Sequence, residues 1–354
     1  MRAHRPAHPH CHRARGVSLV EIMVSLALGL VLVTGVLSLY RSTHLTFRNH
    51  ESLARLQENG RFALELMTRE IREAGLTPCG SPLTANLLVS RGATPTAWWA
   101  DTAAGFLRGG EGSSQGVIPA GNTAGDYAAN TDSLLLLRTA NAEDALTTVL
   151  THDVAAQTLT LRAPAPIRAR DIVVLCDDRS SALWQVNTAS ANPATLTYAA
   201  TGLNCGTAMG RVDAQCQSAV DKTFGAGALV APWDPGLWYV GNNGSGQRSL
   251  YRAEVIQPAA GAASPALITR GVEKVPGVYD LQIDYLTRDR TNGGALAAQW
   301  EKADDLAAKW VDPTLEVAAV RITLTLQGEP LPGANAPGIQ RQFRTLVALR
   351  NREP

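Results

Sequence analysis

The sequence predicts an α+β fold: a long amino-terminal helix packed on a mainly antiparallel β-rich head. Three observations predict it. Residues 17–40 are an apolar run of 24 residues carrying one charge, Glu21, and no proline. Beyond it, Leu53, Leu56, Gly60, Ala63, Met67, Ile71 and Ala74 recur at spacings of three and four, which marks one helical face. From residue 133 onward the chain breaks into short apolar or alternating segments bounded by turn residues, the pattern of β-strands.

As a helix, residues 17–40 would extend about 36 Å at about 1.5 Å per residue. That is enough to cross a bilayer core of about 30 Å. Residues 1–16 hold Arg2, Arg5, Arg13 and Arg15 and no acid, so the amino-terminal side is expected to stay cytoplasmic. A plain anchor or a cleaved secretory signal would share these features. No clear A-x-A cleavage site follows the run, and a plain anchor has no need of Glu21, since a carboxylate at a membrane-helix centre costs roughly 2.5–3.5 kcal/mol. No proline appears between Val17 and Thr77. Gly75 followed by Pro78 is a stop signal, so the helix is expected to run from about 17 to 74. Arg55, Glu58, Arg61, Glu65, Arg69 and Glu73 lie among its polar positions, with Glu58, Arg61 and Glu65 spaced for local ion pairs worth about 0.2–0.5 kcal/mol each.

The segment "RGVSLVEIMVSL" at 15–26 resembles the type IV prepilin signal. The resemblance implies cleavage after Gly16 by prepilin peptidase and N-methylation of the new terminus, Val17. Relatives usually carry Phe where this chain has Val17. A glutamate at the fifth mature position belongs to the same pattern, and Glu21 occupies it. Cleavage would create a positive amine at Val17, and Glu21 lies one turn later on the same face. It can answer its own amine or that of a neighbouring subunit, because an unpaired buried charge is costly and a paired one is tolerable. A simpler role is a first-turn acid favouring the helix dipole. "RLQENGRFALELMTREIREAGLTPCG" at 55–80 resembles the segment after the membrane helix in PilW-type minor pilins. "GVEKVPGVYDLQIDYLT" at 271–287 and "FRTLVALRNREP" at 343–354 resemble later parts of that family.

The resemblance implies four parts: a leader over 1–16 that is removed, a transmembrane and assembly helix over 17–40, an amphipathic second half over 41–75, and a periplasmic head over 76–354. It implies a minor pilin that helps to initiate pilus assembly near the tip. The expected partners are other minor and major pilins, prepilin peptidase and the inner-membrane assembly platform. The expected location is the bacterial inner membrane, single-pass with a cytoplasmic amino terminus, and then the pilus fibre. A type II secretion pseudopilin shares the leader and helix. A membrane-anchored periplasmic enzyme or binding protein is the reading from another class.

In the head, 133–138, 157–162, 171–176 and 183–187 read as strands. Segments 237–240 and 249–255 flank a hairpin loop, "GNNGSGQR". In 316–327, Ala318, Val320, Ile322, Leu324 and Leu326 share one face of a half-buried strand, and 343–349 form a last strand. The Gly-, Ala-, Ser- and Thr-rich stretch 91–131 reads as a long loop with little regular structure.

Cysteine usage fits an oxidising periplasm. Cys11 lies in the leader, and Cys79, Cys176, Cys205 and Cys216 lie beyond the apolar run, allowing three pairings of two disulfides. Cys205 and Cys216 enclose a short polar loop and are the first expected pair; Cys79 would then join Cys176. No C-x-x-C occurs and histidine is scarce near them, so no metal is expected. "HPHCH" at 8–12 would leave with the leader. His152 beside Asp153 reads as surface polarity rather than a dyad, and "RDRTNGG" at 288–294 fails the spacing of a calcium loop. "GNNGSGQ" lacks the G-K-[ST] of a phosphate loop. Trp98, Trp99, Trp184, Trp233 and Trp238 read as core or loop anchors in preference to an exposed adhesive surface. Net charge is +1, which gives no bulk electrostatic case for nucleic acid; removing the four leader arginines takes 32 basic residues to 28 against 31 acidic, a net of −3. No enzyme activity, cofactor or small-molecule substrate is expected, and the head's capacity for nucleic acid is left open.

Overall fold

The computed structural model describes residues 18–88, 95–103, 105–140, 146–213, 216–257, 267–307, 309–312, 314–328, 330 and 338–349. The expected leader, Gly16 and Val17 lie outside the described residues. A single α-helix is present among them, Leu19–Glu73, followed by a β-rich head with mainly antiparallel sheets. The chain divides into two compact units, Met1–Ala54 and Arg55–Pro354.

In the first unit the helix presents apolar side chains to the surroundings on every side. Leu19, Leu26, Leu30, Val33, Leu37 and Tyr40 are all more than half exposed. A helix apolar all round requires an apolar environment, and this one is long and apolar enough to cross a membrane.

In the second unit, Leu56, Gly60, Ala63, Met67, Ile71 and Ala74 are buried, the stripe expected from the sequence. Gly60 is required by a close approach: a Cβ there would stand 2.7 Å from the Phe343 ring of the last strand. This stripe enters a core with Leu134 and Trp238 of a five-stranded sheet and with Leu281, Ile283, Val320, Ile322 and Leu324 of a four-stranded sheet.

The five-stranded sheet runs Ile268–Pro276, Arg248–Ile256, Gly236–Asn242, Ser133–Leu136, Leu107–Gly110. Its middle strands are buried on both faces. Leu134, Leu136 and Trp238 face the helix core, while Leu135, Leu237 and Tyr239 join Val174, Cys176 and Leu183 of the next sheet in a second core. Two-sided burial explains why 134–137 reads as a continuous apolar run. The expected hairpin forms between Gly236–Asn242 and Arg248–Ile256. The four-stranded sheet pairs Val278–Asp289 with Leu315–Gln327, and that strand with Gln340–Ala348. The alternation read in 316–327 is present, although Val317 and Ala319 on the second face are also buried.

An eight-stranded sheet carries a third core around Trp184, Tyr198 and Phe224. Its strands pair antiparallel except Leu83–Asn86 with Ser181–Gln185, which run parallel. Two disulfides are present, Cys79–Cys176 and Cys205–Cys216, with Cα separations of 5.9 and 6.1 Å. The first ties the chain just past the helix to the eight-stranded sheet; the second closes a surface loop beside the ribbon Arg211–Val212 and Ala219–Val220.

The described part of the 91–131 stretch is mostly irregular, as expected of a loop with little regular structure. It contains a 3-10 helix, Pro95–Ala100, that buries Trp98 and Trp99, and the edge strand Leu107–Gly110. Gly109 is misleading as a loop signal, whereas Gly105, Gly112, Gly116 and Gly125 have positive φ as loop glycines do. A side chain on Gly109 would collide with the Tyr285 hydroxyl, so glycine here permits sheet packing rather than freedom.

Candidate functional site

The amino-terminal helix begins with a serine cap: the backbone N–H of Glu21 donates to Ser18 Oγ at 3.2 Å. Other hydroxyls along the apolar segment turn back onto the helix. Ser25 Oγ donates to the Glu21 carbonyl at 2.7 Å, and Thr34 Oγ1 to the Leu30 carbonyl at 2.5 Å. In hydrocarbon such internal pairing is what makes a hydroxyl tolerable. Glu21 differs from Ser25 and Thr34. Its side chain is exposed, and among the described residues its carboxylate has no hydrogen-bond or ion-pair partner. The carboxylate thus lies exposed in the first turn of an otherwise apolar segment. Gly16 and Val17, the expected processing site, lie outside the described residues.

The second half of the helix holds a polar site that the sequence reading missed. Glu70 lies on the buried stripe, three residues after Met67 and seven after Ala63, and is 5% exposed. Its carboxylate accepts from Arg138 Nη2 at 3.1 Å, Arg252 Nε at 3.0 Å and Trp238 Nε1 at 2.7 Å. Arg138 also pairs with Glu73 at 2.6 Å and with Asp234, and Arg252 with Asp234 at 2.9 Å. Asp234 and Glu70 hold the Arg252 guanidinium above its ordinary pKa against the opposing effect of burial. The cluster fastens residues 70–73 to three strands or loops of the head. The signal for it was Glu70's place on the apolar row, which the neighbouring Ile71 masks.

The remaining candidates from the sequence resolve into structure. His152 points inward: its Nδ1 accepts from the Phe224 backbone N–H at 3.0 Å, so its Nε2 carries the proton that faces the Tyr198 hydroxyl at 2.7 Å. Burial pushes its pKa down. Asp153 points outward and caps a turn at Ala156 N, so the two side chains do not meet. Asp289 of 288–294 accepts from Thr291 N and Oγ1 at 2.8 and 2.7 Å, a local turn. Among the described residues no group of three His, Cys, Asp or Glu side chains is placed to hold a metal ion. Trp98, Trp99, Trp184 and Trp238 are buried, and Trp233 Nε1 donates to the Trp99 carbonyl at 2.8 Å. A cleft of about 710 Å³ opens beside Phe106, Trp310, Arg290 and Glu316, but Arg290 and Glu316 are already paired at 2.5 Å.

The described geometry thus singles out the exposed apolar helix with its unanswered carboxylate. The prokaryotic N-terminal methylation motif matches residues 11–37, which take in Gly16, Val17, Glu21 and most of the apolar segment. The match supports a type IV pilin-like protein. The pilin-like motif, with the apolar helix, fits a membrane-anchored pilin and suggests a structural, non-enzymatic role. It also suggests processing by prepilin peptidase and assembly with other pilins. Comparison with curated proteins and with solved structures gives no match.

Proposed function

We propose that this chain is a minor pilin of the PilW type that helps to initiate type IV pilus assembly near the tip. One observation carries the reading: the methylation motif at 11–37 runs directly into a helix whose apolar side chains are exposed on every side. Prepilin peptidase cuts between Gly16 and Val17, and Val17 is methylated. The mature helix stays in the inner membrane with the head on the periplasmic side. Assembly then extracts it into a bundle with other minor and major pilins at the assembly platform. Glu21 answers the amine of a neighbouring subunit and sets the stacking register, because a buried amine without a partner is disfavoured. The work is protein association, with no chemistry on a substrate.

Mass spectrometry of the mature amino terminus tests the processing step. A chain starting at Val17 is expected in cells with active prepilin peptidase, and an uncut chain for Gly16→Leu, which crowds the cleavage site. A start elsewhere contradicts the reading. Deletion of the gene separates the pilin from the pseudopilin role. Loss of surface pili with normal secretion supports the minor pilin; loss of type II secretion with normal pili replaces it with a pseudopilin.

A further inference from the structure

Just beyond the apolar segment the helix changes character on one side only. At 3.6 residues per turn, Tyr40, Arg41, His44, Phe47 and Arg48 fall within about 120° of arc. Ser42, Thr43, Thr46 and Asn49 occupy the opposite side, with His50 among them and Leu45 at the seam. Tyr40 and Phe47 are 65% and 67% exposed, and the Tyr40 and His44 rings approach to 6.0 Å between centroids. Arg41 and Arg48 are exposed, and no acid occurs between Glu21 and Glu51, which closes the stripe one turn after Phe47.

We propose that residues 40–48 form a clamp for the phosphodiester headgroups of anionic phospholipid at the periplasmic boundary of the bilayer. The inference rests on the membrane topology proposed above. The apolar helix from Leu19 to Leu39 covers about 31 Å at about 1.5 Å per residue, so Tyr40 arrives where hydrocarbon gives way to headgroups. Aromatic rings with a polar edge settle at that depth. Arginine offers a planar set of donors that matches phosphate oxygens. The two arginines and the aromatic rings therefore meet headgroups and the upper acyl chains from the same side of the helix, while the hydroxyl side faces away. The clamp also changes the balance of the two flanks. Before processing, four leader arginines hold the cytoplasmic side. After cleavage at Gly16, Arg41 and Arg48 are the arginines that remain next to the span, so the mature subunit's hold on charged lipid lies on the side toward which assembly draws it.

The test uses the full mature chain in nanodiscs of equimolar phosphatidylglycerol and phosphatidylcholine. Native mass spectrometry then counts the lipids that stay bound on release. Each basic side chain near an anionic surface is worth about fivefold. Wild type is expected to retain phosphatidylglycerol over phosphatidylcholine by about fivefold or more. Arg41→Gln with Arg48→Gln should return the ratio to that of the nanodisc, while Ser42→Gln with Thr46→Gln on the opposite side should keep the wild-type preference. An equimolar ratio in wild type, or an unchanged preference in the arginine double variant, overturns the clamp. In-cell crosslinks from position 44 to acidic residues of another subunit, together with an equimolar lipid ratio, would reassign the stripe to protein docking and overturn it as well. Alkaline extraction of cell membranes separates this failure from that of the underlying reading. A chain that resists extraction without lipid preference loses only the clamp; a chain that is extracted loses the membrane anchor and the clamp with it.

Discussion

Glu70 gathers three donors in a region from which water is excluded. Two of them are arginine nitrogens and one is the indole N–H of Trp238, all within 3.1 Å. Removing the carboxylate leaves Arg252, 4% exposed, with Asp234 and the more distant Glu254 as its remaining acids. Breaking a buried pair in this way costs about 3–5 kcal/mol. Glu70→Ala is therefore expected to destabilise the head by that amount in chemical unfolding of the full chain with disulfides intact. Glu58→Ala, on the exposed side of the same helix, should stay within about 0.5 kcal/mol of wild type. Equal, small effects of the two substitutions would show that the cluster is dispensable. Glu70 also marks a limit of periodicity as a signal. Its spacing from Ala63 and Met67 is that of the buried row, but the two arginines that make a buried acid tolerable lie 68 and 182 residues away.

Among the elements, those with local signatures were legible. The helix bounds follow from an unbroken periodic segment ending at Gly75, and the hairpin across 243–247 follows from two strands and a turn-rich loop. Leu315–Gln327 follows from the alternation of its second half, Val320 to Gln327. Leu83–Asn86 and Leu107–Gly110 were not legible, because four-residue edge strands take their identity from partners distant in the chain. Thr147–Asp153 was missed for a similar reason, since its exposed Leu150 breaks the expected alternation. Asp132 shows how such elements are fastened. Its carboxylate accepts from Gly112 N at 3.1 Å and from Ile283 N at 2.8 Å, joining the five-stranded sheet to the four-stranded one. Burial, with a smaller push from Glu111, raises its pKa to about 6. The unfolded value is about 3.9, so its contribution is fully present below about pH 4 and is lost as pH rises through 6. The change is on the order of 2–3 kcal/mol. Asp132→Asn lacks this titration. The stability difference between wild type and this variant should thus fall by that amount between pH 4 and pH 7.5 in parallel unfolding curves. A constant difference would mean that Asp132 titrates alike in both states.

For the whole molecule, the two units match two kinds of surroundings. The head closes its own cores and needs no lipid. The first unit exposes apolar side chains from Leu19 to Tyr40 and leaves one carboxylate without a partner among the described residues. That combination fits a membrane-anchored pilin, and the methylation motif at 11–37 supports a type IV pilin-like protein. The proposed stacking depends on Glu21. If it served only the dipole of its own helix, losing it would cost about 0.3–1 kcal/mol and assembly would continue. If it answers a neighbour's amine in an apolar bundle, losing it costs nearer 3–5 kcal/mol, about two to three orders of magnitude in association. The most direct test is complementation of a deletion strain with Glu21→Val, scored by sheared surface pili together with the level of cleaved protein in the membrane. Cleaved, membrane-inserted protein at wild-type level without pili is the predicted result; normal piliation with the same protein level would contradict the account.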